Sequence, residues 1–194
     1  SAGRFSGCSL RAFWGAADMA DCQIIEIERS DWQAYRDIRL RSLLHSPESF
    51  GSAYAAVVAR SDAQWMSLFE PSNARVSRPL FAVLDQQIAG LVWGEIEPDS
   101  PVVGHIYQMW VDPALRGQGI GKALLLSLID WFGRSRVAAV ELAVASGNSA
   151  ARALYESLGF AAVGDPEPLR SGHELFAQSM VLRLESFAVQ HEDT

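Results

Sequence analysis

The feature that most constrains the fold is a glycine-rich turn, VDPALRGQGIGK, at residues 111–122. A strand-like apolar pattern ends at Val111, and an amphipathic helix pattern begins at Gly119. The unpaired N–H groups and the positive dipole end of such a helix attract anions, and glycines allow an anion to approach the backbone closely. Arg116 and Lys122 add positive charge at the same place. The turn therefore indicates a phosphate site between a strand and a helix.

Two common phosphate-binding loops do not fit this turn. A Walker loop requires glycine at position 116 and Ser or Thr at position 123, where this chain has Arg116 and Ala123. The dinucleotide fingerprint counted from Gly117 requires a glycine where the chain has Lys122, and its strand belongs to a parallel sheet. What remains is the pattern Arg116-x-x-Gly119-x-Gly121 at a strand-to-helix junction.

A second group of residues follows on the next predicted helix. It comprises Asn148, Ala151, Tyr155 and the pair Gly159-Phe160. Tyr155 comes two helical turns after Asn148, on nearly the same face. Taken alone, Asn148 is an ordinary helix cap and Tyr155 an ordinary tyrosine of an amphipathic helix.

The two motifs, in this order and joined by a helix and a strand, resemble those of the GNAT superfamily, the GCN5-related N-acetyltransferases. The resemblance implies an α/β fold, with one domain built on a mixed, mainly antiparallel sheet flanked by helices. It also implies acetyl-CoA as acyl donor, with the amides of the loop on its pyrophosphate, and no metal. The implied cofactor contacts are Met109, Trp110, Val111, Arg116, Gly117, Gln118, Gly119, Ile120, Gly121, Lys122, Asn148 and Tyr155.

Periodicity and turn residues predict the elements along the chain. The predicted helices cover 31–46, 53–59, 62–69 (with a Ser61/Gln64 capping box), 119–132 and 149–158, and the predicted strands cover 23–28, 80–84, 88–96, 102–111, 138–144, 160–163 and 175–184. Residues 71–79 and 164–174 are predicted loops. We expect one domain over 21–186, a C-terminal tail at 187–194, and an N-terminal tail at 1–20 that comes from an added leader or an upstream start codon.

Composition excludes several classes of protein. With 194 residues, 49% of them hydrophobic and 20% charged, the chain is long enough for one well-packed globular domain. A net charge of -7 argues against nucleic-acid binding. No apolar run is long enough to span a membrane. The two cysteines, Cys8 and Cys22, offer neither a disulfide framework nor a cysteine metal site, so we expect a cytoplasmic protein.

Acetyl transfer to an amine needs an unprotonated nucleophile, stabilisation of the developing oxyanion, and a proton for the departing thiolate. The resemblance implies that a backbone amide at Met109, beside a strand bulge, binds the thioester carbonyl, and that Val111 contacts pantetheine. It implies that Tyr155 protonates the thiolate. The roles of Met109, Val111 and Tyr155 are therefore expectations that rest on the family resemblance.

The sequence offers more than one candidate for the general base. The family often places a Glu or His eleven residues before the first motif residue, which is His105 in this chain, with Tyr107 on the same strand face. An ordinary strand-end histidine explains His105 equally well. Glu95 and Glu97 are further candidates, although solvation at a sheet edge also explains them.

The expected acceptor is a primary amine of a small molecule, acetylated directly in a ternary complex because the body of the chain has no cysteine for an acyl-enzyme. Acetylation of a protein N-terminus or lysine, and a non-catalytic acyl-CoA sensor, remain the alternatives.

The loop 46–51 resembles one at the family's acceptor site, and the loop 164–174 is long enough to shape the entrance to that site. Trp93 is a candidate for the acceptor cleft. Homodimers are common in the family and are compatible with this chain.

Overall fold

The computed structural model describes residues 22–70, 76–97, 102–169 and 175–184. The predicted tails, Cys8, and residues 71–75 and 170–174 of the two predicted loops lie outside these ranges. The helices are α1 (Trp32–His45), α2 (Tyr54–Val58), α3 (Asp62–Ser67), α4 (Ile120–Arg134) and α5 (Ser149–Ser157). The strands are β1 (Gln23–Glu26), β2 (Val76–Leu84), β3 (Gln87–Ile96), β4 (Val103–Val111), β5 (Ala139–Ala145), β6 (Ala161–Ala162), β7 (Glu167–Pro168) and β8 (Phe176–Arg183).

Within the described ranges, the strands form one sheet in the order β1-β2-β3-β4-β5-β8-β6, with β7 also paired to β8. The β4–β5 pair is parallel, and the other pairs are antiparallel. The predicted fold, a mixed and mainly antiparallel sheet flanked by helices, is therefore confirmed.

Helices cover both faces of the sheet, and each face has its own hydrophobic core. On one face, Leu124, Leu125, Leu128 and Phe132 of α4 are fully buried. They form the apolar stripe that the sequence of this helix predicts. On the other face, α1 places Tyr35, Ile38 and Leu43 against aromatic residues of the sheet and α3. The sheet is thus held between two layers, and β4 lies near its centre.

One predicted loop is partly wrong. Residues 76–79 were expected to be loop, but β2 begins at Val76 and Pro79 lies opposite Trp93 of β3. The carbonyl of Pro79 accepts a hydrogen bond from Ile27 N at 2.9 Å, on the side away from β3. A residue with an N–H at this position would direct it to that same side, beyond the end of β1. The lack of an N–H in Pro79 therefore costs no hydrogen bond to β3.

The other predicted helices and main strands are present, with ends shifted by at most two residues. The Ser61/Gln64 capping box is confirmed, with Gln64 N donating to Ser61 Oγ at 3.3 Å and Ser61 N donating to Gln64 Oε1 at 2.8 Å. The predicted loop at 164–174 contains the short strand β7.

Candidate active site

The site begins where two neighbouring strands separate. β4 and β5 pair at Val103–Ala139, Gly104–Val140 and His105–Glu141, and they diverge beyond this last pair. The backbone N–H and C=O groups that face the gap are therefore not used by the neighbouring strand. Such open strand edges bind extended ligands through main-chain hydrogen bonds.

A bulge in β4 lies along the same gap. Tyr107 pairs with Trp93 and Trp110 with Leu91, so Gln108 and Met109 together face the single residue Val92. Gln108 has a left-handed backbone with φ of 58°, which lets the chain accommodate the extra residue. The bulge implied at Met109 by the family resemblance is thus present.

The bulge is tied to the helical layer by a buried hydrogen bond. The Tyr35 hydroxyl of α1 donates to Gln108 Oε1 at 2.7 Å. Tyr35 is only 1% exposed, and burial raises the pKa of its hydroxyl, so it remains protonated at neutral pH. Tyr35 therefore fixes the side chain of the one bulge residue that has a left-handed backbone.

The gap between β4 and β5 is part of a cavity of about 1220 Å³. Its lining comes from β4, β5, α5, the glycine-rich turn and the segment that joins α1 to α2. This volume exceeds that of a typical pocket for a drug-sized ligand and leaves room for a large ligand or for two together.

The glycine-rich turn has the backbone that an anion site needs. Gly117 and Gly119 both have φ of 79°, which disfavours L side chains, and Gly119 is the residue that caps α4. A Cβ on Gly121 would lie 3.0 Å from Met109 Cε and 3.2 Å from Leu154 Cδ2. Small residues here bring the start of α4 close to both the bulge and α5.

Arg116 anchors this turn. Its Nε donates to the Val111 carbonyl at 3.0 Å, and its Nη2 lies 3.4 Å from Ser46 Oγ at the end of α1. The guanidinium thus connects β4, the turn and α1. Lys122 also lines the cavity.

Asn148 makes two connections. Its Oδ1 accepts a hydrogen bond from Ala151 N at 3.1 Å, so it caps α5, and its Nδ2 donates to Ser49 Oγ at 3.4 Å. The capping explanation for Asn148 is therefore correct, and the residue also joins α5 to the α1–α2 segment.

Tyr155 lies in the wall of the cavity and is 6% exposed. Burial raises the pKa of its hydroxyl to about 12. A tyrosine with this pKa keeps its proton at neutral pH and can donate it to a group that gains negative charge beside it.

A sequence model of the Acetyltransferase (GNAT) family matches residues 26–160. The chain belongs to the GNAT acetyltransferase family.

Individual relatives agree with this family. A mycothiol acetyltransferase from Kocuria rhizophila is 34% identical over 136 residues, which cover 67% of this GNAT chain and 42% of that protein. The chain thus spans less than half the length of this curated relative. A GCN5-related N-acetyltransferase from Kribbella flavida is 27% identical, with a TM-score of 0.68 over 84% of this chain and 98% of its own. A Salmonella typhimurium protein solved with acetyl-CoA is 21% identical, with a TM-score of 0.66 over 89% and 99% of the two chains.

His105 lies at the point where β4 and β5 of the GNAT fold separate. Its Nδ1 is 4.0 Å from Glu141 Oε2, and its ring is stacked on the Tyr107 ring, with 5.9 Å between the two ring centroids. A Cβ on Gly104 would overlap Phe132 of α4, so His105, the next residue, faces the other side of the sheet. Met109 packs on the α4 side, four residues further along the strand and beyond the bulge. His105 and Met109 therefore do not share a face of the strand, and a proton would pass between His105 and a group bound at Met109 through water.

Some predicted residues of this GNAT chain do not line the cavity. These are Gln118, Trp93, Glu95 and Glu97. Trp93 packs in the core on the α1 side, and Glu95 is buried opposite His105. The Trp110 ring is also buried in that core, with the Arg41 guanidinium 5.5 Å from its centre, so only its backbone is suited to a ligand contact.

Three residues of the cavity region were not singled out by sequence. In the sequence, Tyr35 and Arg39 are ordinary positions of a predicted helix, and Glu141 is an ordinary position of a predicted buried strand. Register and long-range contacts bring them to the site, and local patterns do not contain that information. In the part of the chain that the structure describes, no group of His, Cys, Asp and Glu could hold a metal ion. No described helix is both long and apolar enough to cross a membrane.

Proposed function

We propose that this chain transfers an acetyl group from acetyl-CoA to a primary amine of a small molecule within a ternary complex. One observation carries the proposal. The glycine-rich turn, the β4 bulge and the buried Tyr155 hydroxyl all border the cavity that opens where β4 and β5 separate. An anion site, an amide donor and a proton donor are thus arranged along one cleft.

The described residues suit the acyl donor in charge and in backbone geometry. The amides of residues 117–121 and the start of α4 suit the pyrophosphate, and Lys122 adds positive charge. The open edges of β4 and β5 suit the amides of the pantetheine arm, which would lie between them like an added strand. In this arrangement the backbone of Met109, Trp110 and Val111 faces the arm.

The transfer step needs three groups. The amine lone pair attacks the thioester carbonyl carbon, a C–N bond forms, and the C–S bond breaks. In this proposal the Met109 amide donates to the carbonyl oxygen as negative charge develops, and one donor of this kind typically changes turnover by about 100-fold to 1,000-fold. Tyr155 gives its proton to the departing thiolate. The amine loses a proton to water, and His105 beside Glu141 is the proposed acceptor of that proton through water.

Direct transfer fits the cysteine positions. Cys22 is the free cysteine of the described ranges, and it does not line the cavity. An acyl-enzyme on this thiol is therefore not supported. The similarity to mycothiol acetyltransferases favours a small-molecule acceptor, although this chain covers only 42% of the Kocuria rhizophila protein. A homodimer and a cytoplasmic location stay predictions.

Thermal unfolding with acetyl-CoA, followed by a thiol-release assay across small amines and peptides, tests the proposal. Ligand at 100 times its Kd should stabilise the folded state by about 2.7 kcal/mol. We expect this stabilisation together with thiol release that depends on a small amine. Stabilisation without turnover would favour an acyl-CoA sensor, turnover only with peptides would favour a protein acetyltransferase, and no stabilisation would contradict the proposal.

A further inference from the structure

Arg39 is a buried cation in the wall of the cavity. It lies on α1, is 5% exposed, and lines the same cleft as the glycine-rich turn. Its guanidinium carbon lies 4.5 Å from the centre of the Phe50 ring. Its side-chain hydrogen bond is a long one, from Nη1 to Ser42 Oγ at 3.4 Å.

Within the described ranges, this guanidinium has no counter-ion. Among the residues that the structure describes, no carboxylate forms an ion pair with Arg39. Burial lowers the pKa of Arg39 to about 10, and the charge of Arg60 acts in the same direction, so Arg39 is still a cation at neutral pH. A guanidinium has five N–H donors in a planar fork, and burying it without an anion is unfavourable. A buried guanidinium of this kind is suited to an anion that a ligand supplies.

The position of Arg39 on α1 limits what that ligand can be. Arg39 comes one helical turn after Tyr35, which bonds to the bulge, and two turns before Ser46, which contacts Arg116 at the glycine-rich turn. It therefore lies between the proposed pyrophosphate site and the reaction centre. The part of coenzyme A that spans this interval is the pantetheine arm, which carries amides and hydroxyls but no charge. The anion is then supplied by the other substrate.

We propose that Arg39 binds a carboxylate of the acceptor, so that the amines this chain acetylates also carry a carboxylate group. A carboxylate matches the guanidinium fork with two parallel hydrogen bonds, which fix orientation as well as position. The amine would then lie at the β4 bulge, with His105 beside Glu141 as the proposed acceptor of its proton through water. The inference rests on the proposed function and names its substrate class.

The test compares α-amino acids with their carboxamides, which keep the amine and the side chain but lose the carboxylate. Thiol release gives kcat and KM for both series with the wild type, Arg39→Met and Arg39→Lys, and calorimetry gives the acetyl-CoA affinity of each. Arg36→Met is the matched control, because Arg36 lies on the same helix and pairs instead with Asp37 and Asp62. Circular dichroism and thermal unfolding check the fold of every variant.

We expect the wild type and Arg36→Met to prefer the amino acids to the carboxamides by at least tenfold in kcat/KM. In Arg39→Met this preference should disappear through a KM that is about 10 to 100 times higher for the amino acids, with kcat and acetyl-CoA affinity changed less than twofold. Arg39→Lys should keep part of the preference, because lysine retains the positive charge but lacks the planar set of guanidinium donors. If Arg39→Met does not fold, Arg39→Lys is the variant that tests the inference.

Equal use of both series by the wild type, or an unchanged preference in the Arg39 variants, would overturn the inference. A loss of acetyl-CoA affinity in Arg39→Met would also overturn it, because the anion would then be a phosphate of the coenzyme. If no amine is turned over, the proposed function fails separately. Calorimetry with N-acetyl amino acids and their amides, in the presence of coenzyme A, still decides whether Arg39 binds a carboxylate.

Discussion

The Tyr35 hydroxyl donates a 2.7 Å hydrogen bond to Gln108 Oε1 and thereby joins α1 to the β4 bulge. Removing it with Tyr35→Phe leaves the Gln108 oxygen without its donor and should loosen the backbone on which the Met109 amide depends. We expect kcat to fall about tenfold, as a misplaced oxyanion donor costs less than a missing one. The acetyl-CoA KM should change less than twofold.

A loss of stability alone would not lower kcat while leaving the acetyl-CoA KM nearly unchanged. Loss of one buried hydrogen bond should lower the free energy of unfolding by about 1 kcal/mol. Tyr54→Phe is the control, because Tyr54 is a partly buried tyrosine beside the same core. A Tyr35→Phe enzyme that is less stable but turns over at the wild-type rate would limit Tyr35 to a role in folding.

Tyr155→Phe removes the proposed proton donor while keeping the ring that packs near Phe160. We expect kcat to fall by about 100-fold to 10,000-fold. The Kd of acetyl-CoA from calorimetry should be nearly unchanged, since the hydroxyl acts after binding. Wild-type turnover by the variant across a range of pH would remove Tyr155 from this role.

The raised pKa of Tyr155 has a consequence for pH dependence. Because burial raises this pKa from 10.0 to about 12, the acid form persists at alkaline pH. In a kcat profile with saturating amine, loss of the Tyr155 proton should cause no decline below pH 10. The contribution of Tyr155 to stability is present below pH 10 and is lost as the pH rises towards 12. A falling limb at lower pH that disappears in Tyr155→Phe would contradict this pKa.

His105→Ala tests the proposed base. A positioned general base commonly accelerates a reaction by about 100-fold to 10,000-fold. We expect kcat/KM at pH 7 to fall at least tenfold in His105→Ala. His45→Ala serves as the control, because His45 does not line the cavity. Full activity in His105→Ala would assign the proton to water or to another group.

Gly104→Ala tests how closely β4 packs on α4. A Cβ at Gly104 would overlap the ring of Phe132, which is fully buried. We expect the free energy of unfolding in urea to fall by about 1 to 3 kcal/mol. Gly133→Ala has no atom within 4 Å of its new Cβ and should stabilise α4 by about 0.5 to 1 kcal/mol. Equal stability of the two variants would refute the close packing of β4 on Phe132.

The parts of the site that local sequence encodes were predictable. The positive φ at Gly119, the cap made by Asn148 and the stripe of α4 all depend on neighbours along the chain. The Gln108 bulge could not be derived from residue pattern, because glutamine has no preference for a left-handed backbone, and only the family resemblance implied it.

Long-range features escaped local patterns altogether. The pairing of His105 with Glu141 depends on strand register, and the Tyr35–Gln108 bond joins residues 73 positions apart. The early start of β2 was hidden by Pro79, whose missing donor matters only on one side of the strand.

Calorimetric titration with acetyl-CoA tests the placement of the acyl donor most directly. Gly119→Val puts a branched side chain at a residue with φ of 79°, which should distort the turn at the start of α4. We expect one acetyl-CoA per chain for the wild type and Gly133→Ala, and at least tenfold weaker binding by a folded Gly119→Val. No binding by the wild type, or equal binding by Gly119→Val, would contradict an acyl donor held at the glycine-rich turn.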